Sequence, residues 1–254
     1  MKTAGGNKKT RLIFVRHAEA EGNKSRHFHG WTDSHITEKG HIQAKLVAER
    51  LKEMDIDVLY SSSLTRALET ARYIAKAKNL PIIRTDKLKE INGGEWENLT
   101  WSELEKRWPK DYETWENTPH KHQMPGGESM VQFQERLVDE VMHIINQNIG
   151  KNICIVTHGT AIRALICFFR ACTLEEMINV AWCDNTAITI IDYEDGRFST
   201  VVEGDSTHLG SEYGTVVNQQ WWEEYMNKVR KRELEREMKS HLEEKSHKEK
   251  ETEN

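Results

Sequence analysis

Short apolar segments alternate with longer amphipathic segments along most of the chain. The apolar segments that predict buried strands are 12–15, 56–60, 80–83 and 153–156. Helices are predicted where apolar residues recur every three or four positions, in 37–54, 64–78, 101–107, 130–148 and the stretch that begins at 160. Two further apolar segments, 186–193 and 197–202, flank Asp195 and Gly196, which predicts a hairpin with a tight turn.

This order of elements predicts an α/β fold with a mostly parallel central sheet and helices on both faces. In such sheets ligands bind beyond the carboxyl ends of the strands. Arg16-His17 follows the first predicted strand, and Thr157-His158 follows the strand at 153–156. We therefore expect both histidines at the same edge of the sheet.

The last part of the chain has a different character. We predict one domain over 1–217, followed by a charged C-terminal helix and tail over 218–254. Ten acidic and nine basic residues lie between Glu223 and Asn254, with a thin apolar stripe at helical spacing. The pattern fits a solvated helix that packs on its own domain, and it also fits an arm that forms a homodimer.

Composition restricts the partners and the compartment. The formal net charge is −5, so we expect neither nucleic acid nor an anionic membrane surface as a partner. No apolar segment approaches the roughly 20 residues that span a bilayer, and the first ten residues have no apolar core of a secretory signal. The four cysteines form no C-x-x-C pair, which fits a reducing compartment. We expect a cytoplasmic protein.

The candidate chemistry is phosphoryl transfer. A phosphoryl group spreads its charge over three oxygens, and the planar guanidinium of arginine binds two of them at once. Arg16 and Arg66 are candidates for this binding. A neutral imidazole such as His17 is a competent nucleophile. Glu90, just after a short predicted strand, is a candidate for the acid that protonates the leaving oxygen.

The same residues lie in motifs that resemble those of the histidine phosphatase superfamily, which includes the phosphoglycerate mutases. The first motif of that family is an apolar strand followed by R-H-G-x-T-x-x-N, and LIFVRHAEAEGN at 12–23 is similar to it. The later matches, in the family's order, are GWTD at 30–33, ITEKG at 36–40 with Gln43-Ala44, YSSSLTRALETA at 60–71, EINGGEWE at 90–97, VTHG at 156–159 and DNTAI at 184–188. Together they cover residues 11 to 203. Ala18 and Ala20 depart from the common Gly and Thr, and neither change touches a charged position.

The resemblance implies a role for each candidate residue. His17 would become the phosphohistidine, and Glu90 would protonate the leaving group and then activate water. The residues that would bind the phosphoryl group or substrate are Arg16, Asn23, Arg66, Thr157 and His158. Glu128 is a reserve candidate for the proton donor. The resemblance implies no metal and no other cofactor, because arginines and histidines supply the positive charge.

Three functions are weighed on the sequence. The preferred one is hydrolysis of a small phosphorylated metabolite or another phosphomonoester. The first alternative is phosphoglycerate mutase activity, but segment 94–125 has no Arg-Arg pair followed by prolines to hold a second anionic group. The second alternative is a phosphate-binding regulatory or interaction protein. A pure binder has no use for Glu90 as a proton donor, which disfavours it.

Overall fold

The structure is a computed structural model, which describes residues 9–25 and 27–216 together with Asn227, Arg230, Lys231 and Leu234. The chain divides into two units, Met1–Val216 and Val217–Asn254. The predicted charged helix and tail lie outside the described residues, except at those four positions. The account below concerns the first unit.

The described part of this unit is built on a six-stranded sheet with the order β3-β2-β4-β1-β5-β6. The strands are β1 (Thr10–Arg16), β2 (Val58–Ser62), β3 (Ile82–Thr85), β4 (Asn152–Thr157), β5 (Ile188–Glu194) and β6 (Arg197–Asp205). β1 to β4 run parallel to one another, whereas β5 is antiparallel to β1 and β6 is antiparallel to β5. The predicted α/β fold with a mostly parallel sheet is confirmed.

The helices match most of the amphipathic segments. Their bounds are α1 (Glu21–Ser25), α2 (Glu38–Lys52), α3 (Thr65–Lys78), α4 (Trp101–Arg107), α5 (Pro109–Asn117), α6 (Met130–Gln147), α7 (Gly159–Phe169) and α8 (Gly210–Tyr213). Helix α2 begins after Thr37, whose hydroxyl accepts a hydrogen bond from the Gly40 N–H at 3.0 Å. Helix α6 begins with a capping box formed by Ser129 and Gln132.

Several elements differ from the sequence prediction, among them α8, which is absent from it, and β2, which is predicted over 56–60 and runs over Val58–Ser62. The short helix α1 lies where a polar loop is expected, and α5 is absent from the prediction because it has no fully buried side chain and hence no strong apolar face. Strand β3 begins at Ile82 and not at Leu80, because Pro81 has no N–H to donate to a strand ladder. The predicted hairpin is present: Asp195 and Gly196 have φ of 53° and 76°, as a two-residue turn between β5 and β6 requires.

The core lies on both faces of the sheet. Along β1, Leu12 and Phe14 pack into the apolar cluster that includes α6 and α7, whereas Ile13 and Val15 pack into the cluster that includes α2 and α3. Each such buried side chain contributes about 1.5–3 kcal/mol. Burial on both faces explains why β1 is a continuous apolar run.

None of the helices in the described part of the chain is both long enough and apolar enough to cross a bilayer.

Candidate active site

The two histidines predicted at one edge of the sheet lie side by side. β1 and β4 are parallel neighbours, and their last residues, Arg16 and Thr157, are paired in register. The next residues are His17 and His158, whose ring centroids are 5.1 Å apart. The His17 N–H continues the ladder by donating to the Thr157 carbonyl at 2.8 Å.

His17 is held as one tautomer. Its Nδ1 lies 2.7 Å from the carbonyl oxygen of Ala18, and because a carbonyl oxygen only accepts, Nδ1 carries the hydrogen and Nε2 carries the lone pair. Burial, together with the charges of Arg66 and Arg16, lowers the pKa of His17 well below its usual value. The Asn185 side-chain amide donates to the His17 carbonyl at 2.8 Å. His17 is therefore neutral, fixed and able to act as a nucleophile through Nε2.

His158 is fully buried and has one of its ring nitrogens engaged. Its Nε2 lies 2.7 Å from the hydroxyl of Ser62, at the end of β2. Its Nδ1 has no hydrogen-bond partner within the described residues. Burial and the charge of Arg66 lower the pKa of His158 well below the usual value. The serine run 61–63 marked the end of β2 in the sequence, but nothing there indicated that Ser62 orients a histidine.

Arg16 is mostly buried at the end of β1. One Nη donates to the carbonyl of Cys183, and the guanidinium lies 5.9 Å from the centre of the Trp182 ring. The Nε atom is buried and has no hydrogen-bond partner in the part of the chain that is described. Arg16 Nε and His158 Nδ1 are thus two buried polar atoms for which an anion would be a suitable partner.

Arg66 lies in the first turn of α3 and is 1% exposed. Its two Nη atoms donate to the backbone carbonyls of Gly30 and Thr32 at 2.7 and 2.9 Å. Burial lowers the pKa of Arg66 to about 10, so the guanidinium remains charged at neutral pH. The Arg66 charge is one of the causes that lower the pKa of both His17 and His158.

Glu90 is buried, and both of its carboxyl oxygens accept hydrogen bonds. Oε1 accepts from the Ile91 N–H at 2.9 Å, and Oε2 accepts from the Thr160 N–H at 3.0 Å. Thr160 lies in the first turn of α7, two residues after His158. Burial raises the pKa of Glu90, and the hydrogen bonds and the Arg66 charge only partly oppose it. A carboxyl group with a raised pKa suits a proton donor.

The segment that carries Glu90 is held by Arg136, which lies on α6. The Arg136 guanidinium donates to the carbonyls of Lys87, Lys89 and Glu90 at 2.8, 3.2 and 3.2 Å. It also forms a two-point salt bridge with Glu128 at 2.7 and 2.8 Å. Sequence reasoning missed Arg136, because a charged residue on a helix has no local signal of what it contacts.

Glu128 and Thr157, two further candidates from the sequence, contact the same segment. Glu128 pairs with Arg136 and accepts from the Asn92 N–H at 2.8 Å, so the structure assigns it to a salt bridge and not to proton donation. The Thr157 hydroxyl donates to the Leu88 carbonyl at 2.8 Å. This hydroxyl hydrogen is therefore engaged with the segment that precedes Glu90, and binding of the phosphoryl group by Thr157 stays a prediction.

Asn23 lies on α1, the short helix that follows the His17 segment. Its Oδ1 accepts from the Ala20 N–H at 3.0 Å, which leaves the amide hydrogens to donate elsewhere. The structure thus groups His17, His158, Arg16, Arg66 and Glu90, and it places Asn23 on the short helix that follows the His17 segment.

Residues 12–206 match the histidine phosphatase superfamily (branch 1). Phosphoserine phosphatase 1 of Hydrogenobacter thermophilus is 34% identical over 203 residues, covering 80% of this chain and 96% of that protein. The 2,3-bisphosphoglycerate-dependent phosphoglycerate mutase of Treponema denticola is 30% identical over 244 residues, covering 82% and 98%. The solved structure of YhfR from Bacillus stearothermophilus is 32% identical with a TM-score of 0.76, covering 79% of this chain and 99% of that one.

Proposed function

Because the chain belongs to the histidine phosphatase superfamily, we propose that it is a metal-independent phosphomonoester hydrolase with a phosphohistidine intermediate on His17. The observation that carries the proposal is the state of His17. Its imidazole is neutral, Nδ1 donates a hydrogen bond to the Ala18 carbonyl, and Nε2 carries the lone pair. Its neighbours are a second imidazole and two guanidinium groups.

In the first step, Nε2 of His17 attacks the phosphorus atom of the substrate. The N–P bond forms as the bond from phosphorus to the ester oxygen breaks, and the charge that develops on the phosphoryl oxygens is stabilised by Arg16, Arg66 and His158. Asn23 contributes a further donor. Glu90 gives its proton to the leaving oxygen, so the alcohol departs neutral.

In the second step, water takes the place of the alcohol. The Glu90 carboxylate accepts a proton from the water as its oxygen attacks phosphorus, and the N–P bond to His17 breaks. Inorganic phosphate is released, Glu90 is again protonated, and His17 is again neutral. The raised pKa of Glu90 supports both roles, because it favours the protonated acid that the first step needs and makes the carboxylate of the second step a stronger base. A bound phosphate dianion raises this pKa further.

The substrate class that we propose is a small phosphorylated metabolite or a similar phosphomonoester. The Hydrogenobacter relative is a phosphoserine phosphatase, so phosphoserine is the first compound to assay. We also propose that the enzyme is cytoplasmic and has no nucleic acid partner, on the grounds of net charge and cysteine pattern.

Mutase activity is the second candidate, because the Treponema relative is a phosphoglycerate mutase. A mutase must hold a second anionic group and exclude water from the phosphoenzyme. The lysine and arginine residues of segment 94–125 are Lys106, Arg107, Lys110 and Lys121, and all four are exposed. Arg107 pairs with Glu103 on its own helix. This arrangement favours hydrolysis.

The proposal is tested by assaying phosphate release from a panel of phosphomonoesters. The panel includes phosphoserine, and it includes 3-phosphoglycerate supplied together with a trace of 2,3-bisphosphoglycerate. Release of inorganic phosphate from at least one compound supports the hydrolase. Isomerisation of 3-phosphoglycerate without phosphate release identifies a mutase. Saturable phosphate binding with no turnover of any compound identifies a binding protein.

A further inference from the structure

Glu97 has no role in the proposed chemistry, yet its carboxylate is the acceptor for five donors. Oε1 accepts from the N–H groups of Trp31 and Gly93 at 2.6 and 2.9 Å. Oε2 accepts from the N–H groups of Gly30 and Thr32 at 3.2 and 2.8 Å, and from the Thr32 hydroxyl. A half-buried carboxylate thus collects the N–H groups of three consecutive residues, which we call the 30–32 loop.

The carbonyl groups of the same loop face a cation. Arg66 donates to the carbonyls of Gly30 and Thr32, and to that of His29 at 3.3 Å. The loop therefore lies between an anion that binds its N–H groups and a cation that binds its carbonyl groups. The N–H groups of Gly30 and Trp31 belong to the same two peptides as the carbonyls of His29 and Gly30, so Glu97 and Arg66 bind opposite ends of these two peptides.

Two glycines make this close approach sterically feasible. A Cβ atom at position 30 would lie 2.4 Å from a carboxylate oxygen of Glu97 and 2.1 Å from the Ile91 carbonyl oxygen. A Cβ atom at position 93 would lie 2.4 Å from the Phe28 ring and 3.0 Å from the same Glu97 oxygen. The residue types at 30, 93 and 97 are thus matched to one another.

The charge of Glu97 acts in the same direction as its hydrogen bonds. Burial lowers the pKa of Arg66, and the carboxylates of Glu90, Asp33 and Glu97 each raise it. Glu97 therefore helps to keep a buried guanidinium protonated in addition to shaping its surroundings.

We infer that Glu97 is a positioning residue for the phosphate site, acting through the 30–32 loop on the Arg66 guanidinium. The inference rests on the proposed function, since the orientation of Arg66 affects turnover only if a phosphoryl group binds beside it. Glu97 itself need not contact the substrate.

The test is the inhibition constant of inorganic phosphate for Glu97→Gln. Glutamine keeps the shape of the side chain but turns an NH₂ group towards N–H donors, so the loop loses hydrogen bonds to a charged acceptor. Phosphate inhibition is expected to weaken by about tenfold or more. Glu95→Gln is the matched control, because Glu95 is an exposed carboxylate two residues away in the same segment, and it should leave phosphate inhibition within about twofold of wild type.

An Arg66→Lys background separates positioning from a general structural effect. Lysine cannot bind three carbonyls and a phosphoryl group as the planar guanidinium does. In the Arg66→Lys background, Glu97→Gln should therefore weaken phosphate inhibition by less than about threefold. Phosphate inhibition unchanged in folded Glu97→Gln overturns the inference. An equal loss in both backgrounds also overturns it, because Glu97 then acts independently of Arg66.

The fold of each variant is checked by circular dichroism and by its urea midpoint. If Glu97→Gln does not fold, Thr32→Val is used in its place, because it removes only the hydroxyl donor to Glu97. This variant is expected to weaken phosphate inhibition by about twofold to threefold. No weakening in Thr32→Val then overturns the inference. Failure of the proposed function is seen separately: wild-type protein would neither bind phosphate nor release it from esters.

Discussion

The rings of His17 and His158 lie 5.1 Å apart because each directly follows one of two paired parallel strands. Arg16 and Thr157 are register partners at the ends of β1 and β4, so one additional residue on each strand brings the two imidazoles together. About 140 residues of sequence separate them, and the pairing of β1 with β4 brings them together in space. The site is therefore a consequence of strand register, and the predictions below follow from what surrounds the two rings.

Replacement of Arg136 should impair proton donation by Glu90. Arg136→Ala frees the carbonyls of Lys87, Lys89 and Glu90, so the general acid loses its fixed position. Phosphoenzyme formation from phosphoserine is expected to fall by about tenfold or more. Formation from p-nitrophenyl phosphate should fall much less, since its leaving group departs without a proton. Single-turnover rates with the two substrates measure this difference.

The control for this variant is Arg72→Ala, which removes an exposed guanidinium from α3. It should leave both rates near the wild-type values. Equal losses on the two substrates in Arg136→Ala would mean that Arg136 supports the whole site and not the acid in particular.

The pH dependence of kcat/KM should report His17 on the acid side. The nucleophile must be neutral, so activity falls as pH decreases through its pKa, and that pKa is held well below 6.5 by burial and by Arg66 and Arg16. After correction for the titration of the substrate phosphate, the acid limb is expected well below pH 6.5. An acid limb at or above pH 6.5 would contradict a neutral, buried His17.

On the alkaline side, activity should fall as Glu90 loses its proton. Burial raises the pKa of Glu90. Glu90→Gln should abolish the alkaline limb of the pH profile and should lower the rate with phosphoserine by about 10²-fold. An alkaline limb that persists in Glu90→Gln would assign the proton to another group.

Stability should also depend on pH through His158. Its folded-state pKa lies well below the unfolded value, so the unfolded chain takes up a proton first as pH falls through about 6.5. The free energy of unfolding therefore decreases below that pH, by up to about 1.4 kcal/mol per pH unit for this one group. Urea titrations between pH 7.5 and 5.5 should give a steeper decline for wild type than for His158→Gln. Parallel curves would contradict a neutral His158.

The side-chain amide of Gln43 forms hydrogen bonds with the loop after His17 and with residues near position 216, where the described domain ends. The Gln43 side chain is fully buried; it accepts from the Glu19 N–H at 2.8 Å and donates to Tyr213 and Thr215 at 2.7 and 2.8 Å. Gln43→Leu leaves these groups unpaired and should lower the free energy of unfolding by about 2 kcal/mol or more.

Urea denaturation measures this change. Gln147→Leu, at an exposed position on α6, is the control and should change stability by less than about 0.5 kcal/mol. A similarly small change in Gln43→Leu would show that the loop and the 213–216 segment are held by other contacts.

The sequence was sufficient for the sheet and for the positions of the chemical groups. Strands β1 and β4 are continuous apolar runs because both faces are buried, and each ends in a polar residue followed by a histidine, so the functional edge was predictable. Arg66 and Glu90 were candidates by residue type and position, the motif resemblance supported both, and the structure gives each of them buried partners.

The partners themselves were not predictable. Ser62, Glu97 and Arg136 each bind groups that are more than 30 residues away in the sequence, and no local pattern specifies such pairings. Glu128 was considered a proton donor although its partner, Arg136, lies only eight residues away in the sequence. Its carboxylate is an acid by type, and only the tertiary contact with Arg136 reveals the salt bridge.

The most direct measurement is the detection of a phosphorylated His17 during turnover. Wild-type protein mixed with substrate and quenched into alkali within one turnover should carry an alkali-stable, acid-labile phosphate on the peptide that contains His17, formed at least as fast as product is released. His17→Ala should fold normally, carry no phosphate and lose about 10³-fold or more of the activity, whereas His143→Ala, at an exposed position on α6, should behave as wild type. Phosphate release without a phosphorylated His17, or activity of His17→Ala within about tenfold of wild type, would contradict the covalent mechanism.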